Sequence, residues 1–328
     1  MTKNKQFRTG RCVDEKLYSS NKYEDIRIFY ECLNNVEEWI NFSKNRPKAD
    51  VKIYELNIEF DKNVIVVVPT KDISKTKGRI QSNFSSYFVI VVESSGQYFN
   101  FARSMNLGIS KALNYNPYWV VLANDDLDWI GDHDLRNIIK DEKSADILLP
   151  TVIEENKIKP KFLDLYEQST IFESLIRILS LFGFFRIFPL TRAQSRYSRT
   201  NLFKDKSSIH YVQIPSNYTD RNFLYKFIMR FEKFLFTRKL ITIPQIQPIS
   251  IIKADILKGE KFDEVFINNG EDTDLAIRLT LHNYVISDFE TTFTTMGSES
   301  LGKDVISSYR RNVQESAYVG YKLHNIYN

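Results

Sequence analysis

Three carboxylates crowd one short stretch of this chain. Asp125 and Asp126 follow Asn124, and Asp128 stands two residues further on. A hard cation such as Mg²⁺ or Mn²⁺ prefers carboxylate oxygens and binds through one or two of them plus substrate phosphates. Acids grouped this way can therefore hold a divalent cation and, through it, a diphosphate. The structural alternative is an acid-rich turn capping the next helix, since Asp favours such positions. A second acid pair, Glu271-Asp272, follows the turn Asn268-Asn269-Gly270 and opens a predicted helix, Thr273–Leu281. A carboxylate there is stabilised by the helix dipole. Acids at helix starts also commonly serve as caps. Asp274 reads as a structural neighbour, with Arg278 at i,i+4 as its partner.

These acids need a scaffold. Tyr118–Ala123, YWVVLA, is a continuous apolar run suited to a strand covered on both faces. Before it, Phe101, Met105, Ile109 and Leu113 recur at helical spacing. Val64–Val68 and Phe88–Val92 read as further buried parallel strands, Lys71–Tyr87 has room for one brief helix, and Ile147–Val152 reads as another strand. The fold class expected is α/β, and open α/β sheets place ligands at the carboxyl ends of their strands. Upstream, residues 1–20 read as poorly ordered, Ile26–Tyr30 as a strand, Asn35–Ser43 as a helix and Val51–Ile58 as a strand. Residues 1–62 thus form an extension of unassigned role, able to extend the sheet or pack beneath it.

At four places in order the chain resembles the inverting GT-A glycosyltransferases of family 2. Val64–Thr70, VIVVVPT, resembles their first strand with its Pro-Thr exit. Phe88–Glu93, FVIVVE, resembles the second strand with a terminal acid. The stretch from Gly96 to Ile109, GQYFNFARSMNLGI, followed by Asn124-Asp125-Asp126, resembles N-x-G-x-x-x-A-R-N-x-G-I and the N-D-D strand end. Lys261–Arg278, KFDEVFINNGEDTDLAIR, resembles the F-D-E-x-F…E-D-x-D-L-x-x-R block. The resemblance covers about Val64–Asp134 and Ile249–Ser300. It implies a Rossmann-like, mostly parallel sheet between helices over residues 63–300. It implies transfer of a monosaccharide, with inversion, from a nucleotide-diphosphate sugar to a glycan or lipid-linked acceptor. Asp126 would hold Mg²⁺ or Mn²⁺, with the N-D-D frame preferred to Asp126-Leu127-Asp128. Asp272, beside Glu271, would be the general base. Pro69, Thr70, Asp72, Glu93, Arg103, Asn106, Asn124 and Asp125 would line the nucleotide-sugar site. In one respect the chain departs from the pattern: Thr295 stands where H-x-G-x-x-S would begin, and His133, His210, His282 and His324 offer no substitute.

Of the 328 residues, 43% are hydrophobic and 26% charged, as in ordinary globular domains. Cys12 and Cys32 form no metal pattern and read as free thiols of a reducing compartment. The polar start MTKNKQFRTGR reads as lacking a signal peptide. A cytoplasmic place is expected, at the inner face of the membrane if an insertion at 159–242 docks there. That insertion is expected to be helical, basic and aromatic: it contains the apolar stretch 172–190 and a basic amphipathic helix, 221–239, with Lys226, Arg230 and Lys233 on one face, a composition suited to an anionic membrane surface. The net charge of +4 is uneven: residues 186–239 carry +9 and the remainder −5. Residues 301–328 are expected to form a helical tail. Two rival readings are a nucleotidyltransferase acting on a sugar phosphate, and a non-catalytic module binding anionic lipid or nucleic acid through 186–239. The first would want a glycine-rich basic loop near the first strand; the second leaves the acids unused. No nucleic-acid partner is expected on the favoured reading.

Overall fold

The computed structural model describes residues 13–131, 134–142, 144–154, 156–168, 211–216, 227, 230, 237–267, 269–295 and 318–327. The first elements are helical: α1 (Glu15–Tyr18), α2 (Tyr23–Cys32) and α3 (Val36–Asn45). The strand expected at Ile26–Tyr30 is part of α2. Ile26, Phe29 and Tyr30 are buried, and their i, i+3, i+4 spacing is the helical stripe rather than the strand alternation. Part of the segment expected to be poorly ordered, Glu15–Tyr18, is a helix capped by Asp14. Cys32 is disulfide-bonded, which corrects the free-thiol reading and removes the support for a reducing compartment; Cys12 lies outside the described residues.

Among the described residues the core is a nine-stranded sheet. Its strands are β1 (Val51–Leu56), β2 (Val64–Thr70), β3 (Phe88–Ser94), β4 (Trp119–Ala123), β5 (Leu127–Ile130), β6 (Ile147–Glu154), β7 (Lys157–Ile158), β11 (Ile249–Lys253) and β12 (Ile286–Thr295). The order is β1-β3-β2-β4-β11-β6-β12-β5, with β7 on β6. β2 pairs in parallel with β3 and β4, and β6 with β12. β1, β11 and β5 run against their neighbours. The expected mostly parallel sheet is therefore mixed. Strand direction depends on long connections that local apolar runs do not record.

Both faces of the sheet are covered, which explains the unbroken apolar strands. Ile65, Val67, Ile90, Val92, Val120 and Leu122 face one core, shared with α2, α3, α5 (Phe101–Leu113), α7 (Ala254–Gly259) and α8 (Glu271–Leu281). Val66, Val68, Val89, Val91 and Val121 face the other, shared with α4 (Ile73–Asn83) and α6 (Leu135–Asp141). The N-terminal extension does both of the things open to it: β1 lengthens the sheet and α2–α3 pack on its face.

The gap expected to be a helical insertion carries instead, among the described residues, a second, three-stranded antiparallel sheet. It is ordered β10 (Thr237–Pro244), β8 (Phe162–Gln168), β9 (Tyr211–Pro215). Leu165, Tyr211 and Ile243 join the core beneath α8. The apolar stretch 172–190 lies outside the described residues. Within 221–239, Phe227 and Arg230 are helical, but Thr237–Lys239 open β10 instead of ending a helix; the rest, including Lys226 and Lys233, lies outside. Among the described residues no helix is long and apolar enough to cross a membrane. Of the expected tail, the described part is α9 (Gly320–Asn325) and its neighbours.

Gly108 lets α5 approach the sheet. A Cβ built there would lie 2.4 Å from Val67 Cγ1 and 2.9 Å from Val92 Cγ2. Both valines are fully buried, so neither can move aside cheaply. Gly108→Ala is expected to destabilise the fold by about 1–3 kcal/mol despite alanine's better helix propensity. Denaturant unfolding checks this: the midpoint should fall at unchanged slope, and an unchanged midpoint would contradict the close packing.

Candidate functional site

The strand order places a crevice in the sheet. The chain goes from β2 through α4 to β3 on one side, then through α5 to β4 on the other side of β2. The connections diverge at the carboxyl ends of β2 and β4, the position where open α/β sheets take ligands. Thr70 ends β2 and Asp125 follows β4. The Thr70 hydroxyl donates to Asp125 Oδ2 at 2.6 Å, closing the floor of this crevice.

Asn124, Asp125 and Asp126 form the turn between β4 and β5. The element after the acids is a strand, so they do not cap a helix; α6 is capped by Asp134. Asn124 N–H donates to Pro248 O at 2.9 Å, tying the turn to the segment entering β11. Asp126 is only 8% exposed, and Thr295 Oγ1 donates to its Oδ2 at 2.7 Å. The threonine noted as a departure thus sits on the very carboxylate expected to hold metal. Asp128 is exposed, with Arg79 Nε at 3.6 Å.

The start of α8 lies towards the same end of the sheet, since α8 leads back to the amino end of β12 and Thr295 ends that strand; a series of neighbours runs between it and the acids. Thr295 is the parallel partner of Glu154. Glu154 forms an ion pair at 3.0 Å with Lys159, and Lys159 lies close enough to Asp272 to favour its charged form. Gly270, at φ +89°, turns the chain into α8; Asp272 Oδ1 accepts the Thr273 N–H at 2.7 Å. Burial raises the Asp272 carboxyl above its ordinary value, and the Thr273 amide and Lys159 only partly oppose this. A raised carboxyl binds a proton more readily and makes a better general base near neutrality. Glu271 is buried beside it.

Other expected residues are engaged within the protein. Asp72 caps α4, accepting from Ser74 N–H at 3.0 Å, and Glu93 Oε2 accepts from Ile73 N–H at 3.0 Å. Pro69 lies in β2 opposite Val92. The Asn106 amide joins α5 to the 262–264 segment, donating to Phe262 O and Glu264 Oε1 and accepting from Phe262 N–H. Arg103 donates to Ala49 O at 2.7 Å. It lines a separate cleft of about 380 Å³ with Lys44, Arg46, Lys48, Tyr98 and Asp263. Thr70, Asn124, Asp125 and Asp126 are brought together by the strand ends; Arg103 and Asn106 are placed elsewhere. Thr295's bond to Asp126, Glu154 and Lys159 were not among the expected site residues. Only Thr295 left a signal, through its spacing from the E-D block.

Among the described residues, no group of three or more His, Cys, Asp or Glu side chains could by itself hold a metal ion. Asp125 is held above its ordinary value by burial first and by neighbouring Asp126, against the opposing Thr70 hydroxyl and Arg79. The folded state therefore binds this proton more tightly than the unfolded chain, so the charged carboxylate destabilises the fold at neutral pH. Asp125→Asn is expected to melt higher than wild type at pH 7. The gap should close as the pH falls below the unfolded value of about 3.8. A variant no more stable at pH 7 would show that the Thr70 bond outweighs burial.

Neither the scan of family profiles nor the search of curated proteins matches this chain to a known relative.

Proposed function

We propose that the protein is an inverting glycosyltransferase of the GT-A fold. It would transfer a monosaccharide from a nucleotide-diphosphate sugar to a hydroxyl of a glycan or lipid-linked acceptor. The observation that supports this best is the convergence of two acid sites at one end of the sheet. Asp125 and Asp126 stand at the switch-point crevice, and Asp272 opens α8 beyond the Thr295, Glu154 and Lys159 contacts. In the transfer, the acceptor oxygen attacks the anomeric carbon as its bond to the diphosphate breaks. The acceptor proton passes to Asp272, and the nucleoside diphosphate departs with the bonding pair. The anomeric centre passes through an oxocarbenium-like state, as in glycoside hydrolysis.

Asp126, with Asp125 next to it, offers one or two carboxylates, which suits an ion that completes its shell with phosphates and water better than a preformed protein cage. Bound there, Mg²⁺ or Mn²⁺ would neutralise charge on the leaving diphosphate. Thr70 and Glu93 border the nucleotide side of the crevice, and Asn124 the sugar side.

The start of α4 weighs against the nucleotidyltransferase alternative. Phosphates seek the free N–H groups of a helix N-terminus, but here Asp72 and Glu93 carboxylates already take the Ser74 and Ile73 amides. The membrane-binding part of the reading rests on 172–190 and 221–239, which lie almost wholly outside the described residues.

The test is a thermal-shift screen of nucleoside diphosphates and nucleotide sugars with and without Mn²⁺. A ligand at a hundred times its Kd adds about 2.7 kcal/mol of stability. A Mn²⁺-dependent rise in Tm with one nucleotide class is expected; no rise with any nucleotide would overturn the proposal.

A further inference from the structure

Behind the start of α8 lies a buried charge network that the transfer step does not use. Asp274 is fully buried, at 0% exposure. Its Oδ1 accepts from Lys322 Nζ and from the Tyr327 hydroxyl, each at 2.6 Å. Its Oδ2 accepts from Arg278 Nε at 3.1 Å, the i,i+4 pairing expected from the sequence. Lys322 Nζ also donates to Asp263 Oδ2 at 2.8 Å, and the Tyr318 hydroxyl donates to the same oxygen at 3.0 Å. The Lys322 side chain is itself buried, and its ammonium lies 5.5–5.7 Å from the ring centres of Phe266, Tyr318 and Tyr327. One ammonium therefore joins the loop before α8, the first turn of α8 and the segment 318–327.

The geometry of the helix gives this junction a consequence for Asp272. Residues two apart on an α-helix point about 200° apart around its axis. Asp274 thus projects inward while Asp272 projects to the opposite side. Asp274 N–H also donates to Gly270 O at 2.9 Å, closing the first turn. Whatever fixes the rotation of Asp274 about the helix axis fixes the direction in which the Asp272 side chain leaves the helix.

We propose that Lys322 is a positioning residue: by gripping Asp263 and Asp274 together it sets the rotation of the first turn of α8, and so aims Asp272. This rests on Asp272 being the general base of the reaction proposed above. The alternative is that Lys322 only adds stability to the whole domain. Burial works to raise Asp263, but Lys322, with the Val265 N–H and the Tyr318 hydroxyl, outweighs it and holds this carboxyl below its ordinary value.

The test uses the full chain with Lys322→Met, and with Tyr327→Phe as a milder change that removes one bond to Asp274. Transfer kinetics and amide hydrogen exchange are read on both. A misaimed catalytic group can cost about 10²-fold in rate. Lys322→Met is expected to lose up to that factor in kcat at unchanged KM for the donor. The amides of Thr273, Asp274 and Leu275 should exchange faster, while those of β4 keep wild-type protection. Tyr327→Phe should shift the same amides by less. Unchanged exchange at the first turn in both variants would overturn the proposal, as would a loss carried by KM. Protection lost evenly over β4 and α8, in Tyr327→Phe as well, would show a purely global role and also overturn it. If the wild-type protein transfers no sugar, the functional reading falls by itself. Exchange then decides whether Lys322 holds the first turn: local loosening upholds the grip, and even or absent loosening rejects it.

Discussion

Asp272→Asn is expected to bind donor nucleotide about as well as wild type and to transfer sugar about 10²–10⁴-fold more slowly. The size follows from the role. The amide keeps the shape of the side chain and an oxygen for the Thr273 N–H, which the carboxylate holds at 2.7 Å, so the first turn of α8 survives. What is lost is the ability to take the acceptor proton. Hydrolysis of the donor by water should suffer less, because that step depends less on a positioned acceptor. The pH profile gives a second check. Activity needs the ionised carboxylate, and burial raises its pKa. The acid limb of wild-type kcat/KM should therefore lie above the ordinary aspartate value of about 3.8, with the rate falling as the pH drops through it. Near-normal transfer by Asp272→Asn, with Glu271→Gln inactive, would move the base to the neighbouring acid.

The second large effect is expected at Asp126. Asp126→Ala should abolish the Mn²⁺-dependent part of nucleotide binding while leaving the fold intact. The side chain is nearly buried and accepts the Thr295 hydroxyl. Its removal therefore takes one partner from the Thr295 hydroxyl, at a cost of about 1–3 kcal/mol. That cost is smaller than the typical stability of a domain of this kind, about 5–15 kcal/mol. Calorimetric titration of a nucleoside diphosphate with and without Mn²⁺ separates the outcomes. Equal Mn²⁺-dependent affinity in wild type and variant would remove Asp126 from the site, and Asp125 or Asp128 would then be the group to test.

Four central strands were legible because the sheet is covered on both sides. Where β2, β3, β4 and β6 cross the interior, no position faces water, so the residues run apolar without alternation. Helix α5 was legible from its stripe of Phe101, Met105, Ile109 and Leu113. The segment Ile26–Tyr30 misled because four apolar residues around Arg27 fit either period; only the wider α2 shows the buried stripe. Strands β5 and β11 were not read at all, and the direction of β1 was not legible, since direction is set by where the chain returns rather than by what it contains.

The acids of the candidate site were legible as local clusters. Their partners were not. Thr295 reaches Asp126 across 169 positions of sequence and Lys322 reaches Asp263 across 59. No local pattern marks a threonine or a lysine as the one that meets a given carboxylate. The engagement of Asn106 with Phe262 and Glu264 was hidden for the same reason. A family-like motif residue can be retained by a packing task at the same position.

The place of β11 bears on how the chain is made. That strand lies between β4 and β6 and is the bridge between the two halves of the sheet. It is composed of residues 249–253, whereas β4 ends at Ala123 and β6 begins at Ile147. During synthesis, β4 leaves the ribosome well over a hundred residues before its neighbour exists. At about 5–20 residues per second, that interval lasts several seconds. Throughout it the run Trp119–Ala123 presents an open, wholly apolar edge, the kind that pairs with other chains. The nascent protein should therefore be most vulnerable to aggregation between these two points, and most in need of a chaperone there. Ribosome-bound chains arrested before Ile249 should be recovered with such helpers, and chains arrested past Lys253 far less so.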